Sequence, residues 1–270
     1  MKTHALSIAL LLVAACAEGD APAPAPAPQT PNSTSTDWRE RVQQDIDALQ
    51  ASDPQRLAQL ESIQPARTRA GLPRFSTSAI HDPFAASVFL SRLERGTEPA
   101  GTRAALAEAL PRTGGIYADA LADLMGGETD GNVRTALVAT GRQAPADLAV
   151  ALLSTGLSDP DPRVRAESAR AAAHRKDGGQ LTAPLVALLW DSDAEPRAAA
   201  ARSLGVLNIA TVATELTRLL EDPNADVRLE ALRALGQIDP SLVAALPQVA
   251  RMASDPDPRI ARLARAAAVR

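Results

Sequence analysis

A chain of 270 residues with 46% apolar and 22% charged residues has the composition of a soluble protein with a sizeable core, not of a disordered or membrane-spanning one. Its formal charge of −4 and its six aromatic residues (Trp38, Phe75, Phe84, Phe89, Tyr117 and Trp190) argue against a basic phosphate-binding surface and against a row of base-stacking rings, so no nucleic acid is expected as a partner. A core built from Ala, Leu and Val suits closely packed helices. His4, His81 and His174 share no metal-ligand spacing, so neither a metal nor a cofactor is expected.

The chain opens MKTHALSIALLLVAACAEGD: a cationic Lys2, an apolar run from Ala5 to Ala15, then Cys16. The run is shorter than the roughly 20 residues a membrane-spanning helix needs, so residues 1–15 read as a signal peptide. The segment Val13-Ala14-Ala15-Cys16 resembles the bacterial lipobox, which implies cleavage before Cys16 and a lipid anchor on its sulfur. The alternative is ordinary secretory cleavage with Cys16 left as an incidental small residue. Cys16 is the sole cysteine and has no disulfide partner, so the anchor gives it a purpose that the alternative does not. The expected location is the bacterial cell envelope, with the membrane contacted through Cys16.

Residues 16–35 alternate Pro with Ala and then turn to Ser, Thr and Asn, which predicts an extended tether unable to pack a core. Residues 36–64 carry two apolar stripes at helical spacing, Trp38, Val42, Ile46 and Leu49, then Leu57, Leu60 and Ile63. They predict a pair of capping helices that cover the open face of the C-terminal region. Residues 65–82 are polar and interrupted by proline, so a mobile loop is expected, closed by His81-Asp82-Pro83 as a helix cap with proline at the first helical position.

From residue 83 to 270 the sequence repeats itself. DPDPRVRAESARAAA begins at Asp159 and DPDPRIARLARAAA at Asp255. Between and before them one arginine column recurs every 31 to 33 residues, at Arg103, Arg134, Arg165, Arg197 and Arg228, with Ala261 in the sixth place. Such a period means stacked supersecondary units. Four residues ahead of the column stand Asp130, Asp161, Asp193, Asn224 and Asp257, side chains that cap helix N-termini, with Pro99 the exception. Beside and beyond it run apolar or small residues at i, i+4 and i+8, such as Val133, Leu137 and Gly141, or Val227, Ala231 and Leu235, which mark one buried face. A second apolar stretch upstream of each cap supplies the partner helix.

With Glu128, Asp159, Asp191, Asp222 and Asp255 in the turn and the Val-Arg column after them, the repeat resembles the short HEAT repeats also found in phycobilisome lyase subunits. The fold class this implies is all-α: a right-handed α-solenoid, a HEAT/armadillo-like superhelix of about six helix-pair repeats plus the N-terminal capping pair. The resemblance further implies a structural hydrogen-bond ladder through Asp159, Arg165, Asp191, Arg197, Asp222 and Arg228, ending where Thr97 replaces the first acid and Ala261 the last arginine.

No nucleophile-elbow, P-loop or HExxH pattern is present, so a catalytic role is not expected. The leading reading is a non-enzymatic protein-binding or scaffolding lipoprotein. The alternatives are a permanent structural subunit of an envelope complex and a lyase-type enzyme. Five residues after the column come Arg170, Arg202 and Arg233, on the surface that HEAT-like solenoids turn inward. This row is the candidate partner-binding site, suited to another protein or an acidic peptide; the bland alternative is a solvated row, since Glu167 and Glu230 stand three residues before Arg170 and Arg233.

Overall fold

Residues of helix-capping type recur once per repeat after the first, and the computed structural model, which describes residues 37–67, 73–113 and 118–267, begins a helix after each of them. Residues 1–36, including the signal segment, Cys16 and the tether, lie outside the described residues, as does Tyr117. The N-terminal pair is α1 (Trp38–Ser52) and α2 (Pro54–Ser62). A two-residue antiparallel ladder, β1 (Ala66–Arg67) with β2 (Pro73–Arg74), and a one-turn helix α3 (Thr77–Ile80) come after it. Six units follow among the described residues. They are α4 (Ala85–Arg95) with α5 (Ala100–Ala109), α6 (Ala118–Gly127) with α7 (Gly131–Thr140), and α8 (Ala146–Leu157) with α9 (Pro162–Ala173). Then come α10 (Thr182–Leu188) with α11 (Ala194–Val206), α12 (Ala213–Leu219) with α13 (Ala225–Ile238), and α14 (Pro240–Ala245) and α15 (Pro247–Met252) with α16 (Pro258–Ala267).

The caps work as short polar side chains do. Asp130, Asp161, Asn224 and Asp257 each accept from backbone N–H groups of the first turn of their helix. Asp193 differs: its carboxylate leaves the α11 N-terminus unbonded and turns to Ser192 and Arg165 instead. Pro162 and Pro258 occupy the first helical position of α9 and α16, where no partner for an N–H is lost. Pro247 has the opposite effect. It holds Leu246 in an extended conformation and splits the first helix of the last unit into α14 and α15.

The second helices α5, α7, α9, α11, α13 and α16 stack on one another in chain order, and the first helices back them in a second layer. The chain is an all-α solenoid. The column Val133, Val164, Pro196, Val227 and Ile260 is buried, together with Leu106, Leu137, Ala172, Leu204 and Leu235 on the same faces. Small residues set the spacing. A Cβ on Gly205 would lie 2.6 Å from the Cα of Ala234 on the next helix, and the Ser203 hydroxyl sits 2.7 Å from the Ala169 carbonyl of the preceding one.

At the N-terminal end α1 lies against α4 and α6, burying Trp38, Val42 and Leu49. Trp38 Nε1 donates to Asp123 at 3.0 Å and Arg41 pairs with Asp119 at 2.6 Å, both acids on α6. Residues 73–82 are held against the core, in part of the segment where a mobile loop is expected. Phe75 stacks on Phe89 with ring centroids 4.9 Å apart, and Ile80 is fully buried in the same core. Two isolated apolar side chains in a polar segment are enough to pin it there. His81 ends α3, and Asp82 accepts from the Phe84 N–H, so α4 starts at Ala85, two residues after the expected Pro83.

The tight α11–α13 contact yields a direct expectation. Gly205→Val forces the two helices apart and lowers stability by about 1–3 kcal/mol, read as a shift of the urea midpoint at unchanged slope.

Candidate functional site

Each repeat turn is built around one acid and one arginine. Arg165 donates from Nε and Nη2 to Asp191 at 2.7 and 2.8 Å, Arg197 to Asp222 at 2.8 and 3.0 Å, and Arg228 to Asp255 at 3.0 and 2.9 Å. Two earlier rungs have the same form: Arg134 to Asp159 at 2.8 and 2.9 Å, and Arg103 to Glu128 at 3.0 and 2.9 Å. Every rung therefore joins one unit to the next by a two-pronged charge-assisted bond. The third nitrogen stays at home. Arg165 Nη1 donates to the Asp159 carbonyl at 2.8 Å, and Arg197 and Arg228 repeat this with Asp191 and Asp222. The acid in turn accepts the N–H two residues on, as Asp191 does from Asp193 at 2.9 Å, which closes its own turn.

The ends are finished differently. Thr97 takes no rung, but its neighbour Glu98 receives Arg92 from Nε and Nη2 at 2.6 and 2.8 Å. Arg92 is 1% exposed and also donates to the Leu60 and Ile63 carbonyls at 3.1 and 2.9 Å, satisfying the end of α2. One buried guanidinium thus ties the capping pair to the first unit. In the sequence its only signal is a charge inside the apolar run AASVFLSRL. At the other end Ala261 offers no guanidinium.

Three of the ladder carboxylates, Glu128, Asp191 and Asp255, are held as anions. Burial alone would push Asp191 up, but hydrogen bonds from Arg165 and from the Asp193 N–H outweigh it and bring it below the usual carboxylate range. Glu128 has the same balance with Arg103, and Asp255 is lowered chiefly by its bonds from Arg228.

The three row arginines lie on α9, α11 and α13, and the structure sorts them by partner. Arg170 reaches Glu195 on the next helix at 2.8 Å and Glu167 on its own at 3.6 Å. Arg233 pairs with Glu230 at 2.7 Å. Arg202 is exposed and has no hydrogen bond or ion pair among the described residues. Ala199 stands where Glu167 and Glu230 stand in the neighbouring units. Asp226, the counterpart of Glu195, is one methylene shorter and is already held by Arg259 at 2.7 Å. A groove of about 410 Å³ opens here between α9, α11 and the first turns of α13, with Ala194, Ala198 and Ala199 among its lining residues and Arg170, Arg202, Glu195, Asp226 and Glu230 around them.

Among the described residues no group of three or more His, Cys, Asp or Glu is placed to hold a metal ion, and no helix is long and apolar enough to cross a membrane. Trp190, just after α10, is 53% exposed and unmatched by an aromatic residue in the corresponding place of the other units.

Residues 182–270 match the sequence pattern of HEAT repeats, a stretch that takes in α10 to α16. Comparison with curated proteins finds no match. Among solved structures the chain is similar to the YibA protein of Escherichia coli, at 18% identity over 87% of this chain and 88% of that one, with a TM-score of 0.53. An engineered protein matches at 21% identity over 71% of this chain and 94% of that one, with a TM-score of 0.46. A designed armadillo repeat protein in complex with the peptide (KR)4 matches at 19% over 72% and 96%, also with a TM-score of 0.46. At these identities the likeness is one of fold alone.

The ladder sets a pH dependence. A carboxylate whose folded pKa is depressed stabilises the fold above its unfolded value, near 4, and that contribution is lost as pH falls through the folded value. Asp191→Asn is expected to cost about 1–3 kcal/mol at pH 7, with the gap from the native protein narrowing below pH ~4. Urea unfolding of both proteins at pH 7 and pH 3 measures it.

Proposed function

We propose that this chain is a non-enzymatic protein-binding scaffold, anchored in a bacterial cell envelope through a lipid on Cys16, and that it receives its partner on the concave surface, on the face of α9, α11 and α13 that carries Arg170, Arg202 and Arg233. The observation that carries this reading is Arg202. The charges flanking it on that face are paired within the protein, whereas Arg202 stands unpaired among the described residues, beside an open groove. Around it the acids are occupied: Glu195 by Arg170, Asp226 by Arg259 and Glu230 by Arg233. Paired carboxylates of this kind are poor general acids or bases, which weighs against catalysis in the groove.

Support for the envelope location comes from the sequence: a short apolar run, the lipobox-like Val13-Ala14-Ala15-Cys16 and a proline-rich tether. A lyase acting on bilins would work in another compartment. A permanent place in an envelope complex would use the same exposed face.

Two measurements test the reading. Cys16→Ser is expected to move the protein from the detergent phase to the aqueous phase in a partition assay, and a mutant that stays with detergent sinks the anchor. Affinity capture of the native protein from detergent-solubilised envelope, with crosslinking, is expected to recover a partner joined to α9, α11 or α13. Repeated capture of nothing beyond the bait would count against a binding role.

A further inference from the structure

The groove does more than offer one positive charge. Ala198, Arg202 and Val206 succeed one another at four-residue spacing on α11 and so form a ridge of that helix. Ala198 lines the groove and is half-buried, Arg202 is exposed, and Val206, one of two large apolar side chains left open among the described residues, is 49% exposed. A single cation thus sits between two apolar contacts. Neighbours on such a ridge lie about 6 Å apart. In an extended peptide, side chains on one edge recur every second residue, at about 6.6 Å. The two spacings match over three positions.

We infer that the α11 ridge reads an extended segment of a partner protein in which an acidic residue is flanked, two positions to each side, by apolar residues. This rests on the reading of the chain as a binding scaffold and specifies the partner's chemistry. The central carboxylate meets the Arg202 guanidinium, which has no competing acceptor because Ala199 replaces the acid found one turn back in α9 and α13. The flanking side chains rest on Ala198 and on Val206. The neutralised rim matters as much. Glu195, Asp226 and Glu230 would repel an acidic ligand were they free, but each is within 2.8 Å of an arginine, with Arg170 shared between Glu195 and Glu167 and Arg259 between Asp226 and Asp257, so the rim acids are engaged while Arg202 is not. Arg170 and Arg233 contribute through those pairs and not by direct contact with the ligand.

The test is a titration of the full chain with blocked peptides carrying Leu-Ser-Asp-Ser-Leu, and the same sequence with Asn or Lys in the centre. NMR signals of the Val206 methyls and the Arg202 Nε–Hε report binding even at millimolar affinity. Saturable shifts at both residues are expected with the Asp peptide, with affinity about tenfold lower for Asn, the size of one charge-assisted hydrogen bond, and lower still for Lys. Arg202 is on the surface, so Arg202→Glu folds normally and is expected to invert the order, with Lys bound best. Equal binding of all three peptides, shifts confined to other residues, no shifts at all, or an unchanged order in Arg202→Glu would each overturn the inference. The titration needs no captured partner, so this inference falls on the peptides alone, whereas the scaffold reading falls on an empty capture.

Discussion

The arginine rung is the interaction on which the rest of this molecule depends. Helix pairs that bury their stripes only against neighbours have no reason, from apolar packing alone, to settle at one rotation or one stagger. A guanidinium that must reach two carboxylate oxygens of the next turn and the carbonyls of its own has few geometries open to it. The rung side chains are mostly shielded, Arg165 being 14% and Asp191 7% exposed, so their attraction is poorly screened by water. Burial drives the stacking, and the rung fixes its register. The same carboxylate that receives the arginine also folds the turn that presents it, so turn formation and unit docking support each other.

Much of this is written in the sequence because a repeat multiplies its own signal. A lone Asp before a helix is weak; Asp161, Asn224 and Asp257 standing four residues ahead of one column are not. The columns mark the second helices, their buried faces and the turn acids. Individual departures are hidden for local reasons. Asp193 has a capping residue's type and place, yet Arg165 draws its carboxylate away from the helix end. The break at Leu246–Pro247 is visible as a proline, but whether a proline starts a helix or splits one depends on what lies upstream. Phe75 and Ile80 have no periodic companions, so their burial comes from tertiary contact and not from pattern.

The candidate site is legible in part. That Arg202 lacks an intrahelical acid is readable from Ala199 alone. That its neighbours are neutralised is not, because Arg170–Glu195 and Arg259–Asp226 join residues 25 and 33 apart on different helices. Arg92 escapes sequence reasoning for the opposite reason. It stands outside the repeated arginine column, and the comparable bridge from Arg175 to Asp177 and to the Gly141 and Ala144 carbonyls lies elsewhere in its unit, so no column marks either residue.

The rung also has a direction. Its arginine always belongs to the earlier unit and its acid to the later one, so each internal unit carries a donor on one side and an acceptor on the other. Any internal unit is chemically able to succeed any other. If the segment between two rungs were excised in register, Arg165 would arrive beside the turn of Asp222, which differs little from the turn of Asp191 that it lost. The joint heals with the same bonds. A gene encoding such a chain can lengthen or shorten by whole periods without any compensating change at the seam, which leaves the number of internal units free to drift while specialised residues, Arg92 at the head and Ala261 at the tail, mark where the array cannot be cut and rejoined.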